Sequence, residues 1–172
     1  MRQIAVLPYR ATGPSVDAPI QILLITSRQS RRWVIPKGGL MKGLPPHAAA
    51  AVEAEEEAGV RGAACPIPLG SYRYRKTRAS GASVWADVDV FPFAVTEELD
   101  SWDEQHQRER RWFSMADAAK AVDEEDLRAL IRSFGAREFR AAASPARLIG
   151  AVADRMADKT GINTMFAWFQ KL

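Results

Sequence analysis

Short apolar runs broken by turn residues fill the first third of the chain. Ile4–Tyr9 reads as a strand, ATGPSVDAP (11–19) as a turn-rich loop and Ile20–Ser27 as a second strand, so the pair forms a hairpin with a long connection. Trp33–Ile35 is a short extended piece stopped by Pro36, and Lys37–Pro46 is a loop with three glycines and two prolines. The pattern then turns helical. Pro46 suits a first turn, Ala48–Ala51 favour helix, and Gly59 is a C-terminal stop. After Cys65, Leu69–Arg75 reads as a strand and KTRASGAS as a turn. From Val84 to Val95 the chain alternates, with Val84, Ala86, Val88 and Val90 on one face and Trp85, Asp87 and Asp89 on the other, as a half-buried strand does. Thr96–Gln107 is a polar, acidic loop and Arg111–Phe113 a short strand. Ser114 caps a helix over MADAAKAV, and Glu124–Ser133 carries the apolar stripe Leu127, Leu130, Ile131. Two further helices are expected at Ser144–Ala157 and Met165–Leu172.

This order, β-β-α-β-β-α, predicts an α/β/α sandwich around a mixed sheet, with extra C-terminal helices. It divides the chain into a domain over 1–136 and a C-terminal helical extension over 137–172, packed on that domain or partly ordered. The stripe Met165, Phe166, Trp168, Phe169 belongs to the extension; docking onto the domain is favoured, with a homodimer surface as the alternative. There is no regular βαβ alternation and no GxGxxG, which argues against a dinucleotide-binding fold.

Composition changes this picture little. The chain has 172 residues, 47% hydrophobic and 26% charged, as ordinary globular domains do. Its formal charge of +3 is too weak to argue for a nucleic-acid partner. The lone Cys65 rules out an intrachain disulfide and a cysteine-based zinc site, and suits a small buried residue. MRQIAVLPYR lacks the apolar core and cleavage site of a signal peptide, and no apolar run is long enough to span a bilayer, so a cytoplasmic setting without membrane contact is expected.

Charge distribution says more than the total. Glu53, Glu55, Glu56 and Glu57 crowd one alanine-rich helix, and positions 53, 56 and 57 share a face. Such a run is ordinarily a solvated face. Here it follows the Pro36-Lys37-Gly38-Gly39 turn, and carboxylates at this density repel unless a cation sits among them. Hard oxygen ligands suit Mg²⁺, with Mn²⁺ as an alternative, completed by water and substrate phosphate. Glycines in the preceding loop let a phosphate approach the backbone. A carboxylate not bound to metal could act as general base toward a metal-activated water. The segment thus suits hydrolysis of a diphosphate linkage.

With its residues in this order, the segment resembles the signature of the Nudix hydrolases: a glycine, five residues, a glutamate, seven residues, then Arg-Glu-apolar-x-Glu-Glu-x-Gly-apolar. Gly38 takes the first glycine, and Glu53, Ala54, Glu56, Glu57, Gly59 and Val60 fall in register. The resemblance implies that Glu53 and Glu57 are metal ligands, that Glu56 is a further ligand or the base, and that the Gly38 carbonyl is a candidate ligand. Glu55 points away and should be dispensable. Two positions depart from the signature: Leu44 stands for the early glutamate and Val52 for the arginine that orients the carboxylates in the family. Their joint change reads as a charged contact replaced by an apolar one, or as the mark of a weakened enzyme.

SRQSRRWVIPKGG (27–39) and RERRWFSMADAAKAV (108–122) look like the flanks of the diadenosine- and diphosphoinositol-polyphosphate branch, and the resemblance covers about residues 4–122. It implies that Arg10, Arg28 and Lys37, with the Gly38–Gly39 turn, face a polyphosphate. Glu104 would supply an extra ligand or base, with Glu97 and Glu98 as rivals. The basic run Arg73, Arg75, Lys76, Arg78 reads first as an edge strand guarded by charge and second as a polyphosphate clamp. Tyr72, Tyr74, Trp33 and Trp112 are expected in the core, and His47 and His106 on the surface. The implied activity is metal-dependent hydrolysis of a small organic polyphosphate. Its rivals are a non-catalytic domain that senses a nucleotide or diphosphate metabolite, for which Leu44 and Val52 speak, and an enzyme acting on RNA 5′ ends, against which the modest charge speaks.

Overall fold

Alternation along one central strand decides which core each residue joins. In the computed structural model, which describes residues 1–13, 18–77 and 81–134, β1 (Arg2–Ala11) sends Ala5, Leu7 and Tyr9 to one face and Ile4 and Val6 to the other. Both faces are covered, so the strand is buried almost along its length. β1 pairs antiparallel with β2 (Ile20–Thr26), as the hairpin reading expects. β2 carries β3 (Trp33–Val34) near its C-terminal end.

Two short strands escape the sequence pattern. β4 (Lys37–Gly38) pairs antiparallel with β1, setting Gly38 opposite Ile4. It lies inside the stretch expected to be loop. β5 (Val60–Ala64) starts directly after the central helix and pairs with a later strand through an irregularity at Arg61/Gly62. β6 (Gly70–Thr77) and β7 (Ser83–Glu98) form the next hairpin. β7 lies parallel to β1, so the sheet is mixed, and β8 (Arg110–Ser114) closes it against β2. β7 changes partner midway, from β6 up to Val90 to β5 from Phe93, and Pro92, which has no N–H to give, falls in that gap.

Among the described residues three helices cover the sheet. α1 (Pro46–Ala58) lays Ala50, Ala54 and Ala58, spaced by four, against Ile4, Val6, Leu23 and Phe93. These alanines, each fully buried, let the helix axis lie close to the strands. α1 ends at Gly59 in the left-handed region, φ 61°, with its N–H bonded to the Glu55 carbonyl at 3.0 Å. On the other face, α2 (Met115–Ala121) is capped by Ser114, whose hydroxyl accepts from the Asp117 N–H at 3.2 Å. α3 (Glu125–Phe134) buries Leu127, Ile131 and Phe134. This is the expected α/β/α sandwich.

Tyr72 and Tyr74 are buried as expected, as is Cys65. Trp33 and Trp112 are half-buried; Trp33 meets Phe113 edge-on at 5.0 Å. His106 is exposed, whereas His47, expected at the surface, is half-buried near Phe91. Arg78, the helices expected at Ser144–Ala157 and Met165–Leu172, and the 137–172 extension lie outside the described residues. Among the described residues no helix is long and apolar enough to cross a membrane.

Candidate active site

α1 delivers its carboxylates at the margin of its buried stripe, so each meets a different environment. Glu57 is 8% exposed, Glu53 half-buried and Glu56 exposed. Glu53 lies flat against β4: a Cβ added to Gly38 would fall 1.7 Å from Glu53 Oε1, so any other residue at 38 would displace this carboxylate. Lys37, next to Gly38, donates its backbone N–H to Glu57 Oε2 at 2.9 Å. β4 therefore has a role its two residues do not advertise, which is to seat both glutamates.

The other Glu57 oxygen pairs with Arg108, which is itself 8% exposed. Arg108 also donates to Glu104 Oε2 at 2.5 Å and to the Thr26 carbonyl at 3.1 Å. Arg28 holds the remaining Glu104 oxygen at 3.1 Å, and the Glu104 N–H reaches the Glu56 carbonyl at 3.2 Å. The loop between β7 and β8 is thus tied to α1, and Glu104 reaches the α1 carboxylates although 47 residues separate it from Glu57. Glu53, by contrast, makes no hydrogen bond or ion pair among the described residues.

Electrostatics follows this division. Burial, then the charges of Glu57, Glu56 and Glu104, push the Glu53 carboxyl up to about 7, with Arg108 opposing. Burial raises Glu57 as well, while Arg108 and Lys37 pull it down. Burial lowers the Lys37 ammonium to about 8 against the attraction of Glu57. A proton held more tightly in the folded state stabilises at low pH. The Glu53 contribution is therefore fully present below about 4.5 and is lost as pH rises through about 7. In EDTA, raising the pH from 5 to 7.5 should lower the melting temperature of the wild type more than that of Glu53→Gln. Equal slopes in the two proteins would contradict the assignment.

These groups open onto a cleft of about 890 Å³. Glu53, Glu57, Glu104, Gly38 and Gly39 contribute to it, together with six cations: Arg28, Arg32, Lys37, Arg75, Lys76 and Arg108. As they stand, no three Asp, Glu, His or Cys side chains among the described residues converge to hold a metal, since Glu57 and Glu104 are turned onto Arg108. The donor set still fits a hard divalent cation. It is all oxygen, and the charges of Glu57, Glu56 and Glu104 add to burial in raising Glu53, a repulsion that a divalent ion among them would relieve.

The structure does not bring every expected residue here. Arg10 lies on β1 six residues beyond Ile4, about 20 Å from Gly38. It stacks on Trp112 at 4.1 Å and donates to Gln21 at 2.9 Å and Glu98 at 2.7 Å. Glu98 is held there too by the Trp112 N–H at 3.0 Å, and Glu97 lies 3.7 Å from Arg61, which leaves Glu104 as the late acid at the cleft. Glu56 lines a smaller cavity of about 370 Å³, with Val52 and Trp102, on the outer side of α1. Its charge still reaches Glu53. Glu55 pairs with Arg61 at 2.6 Å, away from the cleft. Arg75 and Lys76 line the cleft, favouring the clamp reading for them, whereas Arg73 pairs with Asp87. Arg108 and Arg32 escaped the sequence reading; the basic clusters at 28–37 and 108–111 were the signal, but charge density does not say which members turn inward.

Comparison with known proteins identifies the family. The NUDIX domain model matches residues 2–134. The chain belongs to the Nudix hydrolase family. Nudix hydrolase 13, mitochondrial, of Arabidopsis thaliana is 33% identical over 144 residues, covering 74% of this chain and 70% of that protein. Diphosphoinositol polyphosphate phosphohydrolase 3-alpha of Mus musculus is 34% identical over 103 residues, covering 59% of this chain and 58% of the relative. An Ap4A hydrolase of C. elegans has the same fold, with a TM-score of 0.55 at 20% identity, covering 78% of this chain and 96% of that one. The protein is a Nudix-type diphosphate hydrolase. At the two departures from the family signature, Val52 is half-buried and Leu44 is 44% exposed, so little apolar burial replaces the charged contact at Leu44.

Proposed function

We propose that this Nudix enzyme is a Mg²⁺-dependent hydrolase, with Mn²⁺ as an alternative, acting on a diphosphate linkage in a small organic polyphosphate of diadenosine or diphosphoinositol type. One observation carries the reading: a cleft whose one wall bears Glu53, Glu57 and Glu104 and whose surroundings bear Arg28, Arg32, Lys37, Arg75 and Lys76. Cations in that number match a ligand with several phosphates, because guanidinium groups grip phosphate oxygens in pairs and lysine adds a point charge. Tyr74 is the one aromatic residue among those lining the cleft; it is 8% exposed and its hydroxyl is given to Gln3 at 2.7 Å. Among the described residues a base would find no exposed ring to stack on there, which favours recognition through phosphate.

Glu53 and Glu57 would hold the divalent ion, with Glu56 or the Gly38 carbonyl as further ligands. That ion supplies charge neutralisation and a lowered water pKa. Glu56 or Glu53 would accept the proton of the attacking water, with Glu104, which arginines on both oxygens fix in orientation, as a further ligand or base. Arg28 and Lys37 face the phosphates and Gly39 leaves the backbone open to them, since a Cβ there would meet nothing within 4 Å. A small-molecule substrate in a cytoplasmic setting, rather than nucleic acid or a membrane, belongs to this reading, as does the division into 1–136 and 137–172.

A substrate panel tests it: diadenosine polyphosphates, diphosphoinositol polyphosphates, nucleotide sugars and nucleoside triphosphates, each with Mg²⁺ and with Mn²⁺. Faster turnover of the polyphosphates than of triphosphates is expected. If nucleotide sugars or triphosphates turn over fastest, the substrate class is wrong; if nothing is hydrolysed, the non-catalytic reading takes its place.

A further inference from the structure

We propose that Arg110 is a positioning residue that latches the loop from Leu99 to Glu109 onto the C-terminal end of α1 and thereby sets Glu104 in the cleft. The inference rests on the reading of Glu104 as part of the reacting site.

The last carbonyls of a helix have no partner within it and lie at the negative end of its dipole. Here one side chain takes them. Arg110 Nη1 donates to the Ala58 carbonyl at 3.0 Å and the Gly59 carbonyl at 2.8 Å, while Nη2 donates to the Leu99 carbonyl at 2.9 Å. A single guanidinium thus joins both residues at the end of α1 to the first residue of the loop. The loop answers in kind, its Leu99 N–H donating to the Gly59 carbonyl at 2.8 Å. Trp102 covers the arrangement, with the guanidinium 4.1 Å from its ring centre, so the cation is held on two sides.

Gly59 is part of the same device. Its left-handed backbone would by itself favour glycine, but the space is closed as well: a Cβ would fall 2.5 Å from the Trp102 ring and 2.7 Å from Arg110 Nη1. The latch needs the ring and the guanidinium to lie directly on the helix end.

What it holds is the stretch from 104 to 110. Arg110 begins β8 and is paired with Ile25. Six residues earlier, Glu104 docks its N–H on the Glu56 carbonyl and places its carboxylate on Arg108 and Arg28. Arg110 is not among the residues lining the cleft. It acts on the cleft through the loop, by keeping the end of α1 and the start of β8 in one register. Lysine keeps the charge but lacks the planar fork that serves three carbonyls at once.

A kinetic double-mutant cycle tests this on the full chain: wild type, Arg110→Met, Glu104→Gln and the double variant, each with kcat and KM measured separately and the fold checked by circular dichroism at the assay temperature. A displacement near 1 Å at the reacting site can cost on the order of a hundredfold. Arg110→Met should therefore lower kcat by roughly ten- to a hundredfold with KM within about twofold. In the Glu104→Gln background the same substitution should have no further effect, because residues acting through one another are not additive. Equal losses from Arg110→Met in both backgrounds, or an unchanged kcat, would overturn the latch while leaving the Glu104 reading intact. A silent Glu104→Gln would overturn both. If Arg110→Met does not fold, Arg110→Lys runs the same cycle with the same expected non-additivity.

Discussion

With Glu57 as a proposed metal ligand, Glu57→Gln is expected to leave the fold in place and to remove hydrolysis. Changes to residues that only orient metal ligands cost about 10- to 100-fold, so loss of a direct ligand should lower kcat/KM by at least about a hundredfold. The amide oxygen can still accept from the Lys37 N–H, its NH2 then meets the Arg108 guanidinium donor to donor, and Glu104 remains to neutralise Arg108. The variant should therefore still melt cooperatively, at a temperature below the wild type because one buried contact to Arg108 is lost, while its Mn²⁺ affinity, followed by electron paramagnetic resonance, falls in parallel with activity. Activity within twofold of the wild type at unchanged Mg²⁺ would refute the assignment.

Arg108→Met has the opposite profile, with the larger effect on stability. Removing the guanidinium leaves Glu57 with the Lys37 N–H and Glu104 with Arg28 as remaining partners, their side chains 10% and 18% exposed, and takes the Arg108 donor from the Thr26 carbonyl. Breaking a buried ion pair from one side costs about 3–5 kcal/mol. Denaturation in urea at pH 7.5 with EDTA should show a loss of that order. Saturating Mg²⁺ should recover part of it, since a divalent ion bound to the folded state neutralises the same carboxylates. A loss that is the same with and without Mg²⁺ would show that these carboxylates are not where the cation binds.

The helix that bears the site was plain in the sequence because several local signals agree there. Pro46, the alanine run, the spacing of Glu53, Glu56 and Glu57 and the stop at Gly59 all mark the same thirteen-residue element. β4 was hidden because Lys-Gly inside a glycine-rich loop carries no strand signal; only its pairing with Ile4 and Ala5 makes it one. β5 was hidden because VRGAA has one strongly apolar residue and an irregular ladder. Arg10 shows a different limit. Its residue type suited phosphate and the family flank suited the site, but a strand runs straight, and Arg10 sits at the end away from β4. Glu104 could be nominated but not chosen over Glu97 and Glu98, because the choice depends on arginines from two other segments. Arg108 lay in a run of three arginines within four residues, and which of them turns inward is decided by Thr26, on a strand 82 positions earlier.

β7 gives the cleft a division of labour. Its first half carries β6, whose Tyr74, Arg75, Lys76 and Thr77 line the cleft, and its second half carries β5, which continues directly from α1. Both sides of the cleft hang from one rail, with the change of partner at Pro92 as the seam. On the proposed reading, substitutions on the cleft side of β6 would alter which ligand is welcomed while leaving the seating of Glu53 and Glu57 on β4 untouched. A one-residue insertion at the seam is another matter. It would invert every side chain on one side of it and shift β6 relative to β5 by one strand step, so a change of length at this seam disturbs the whole cleft where a substitution on β6 touches one wall.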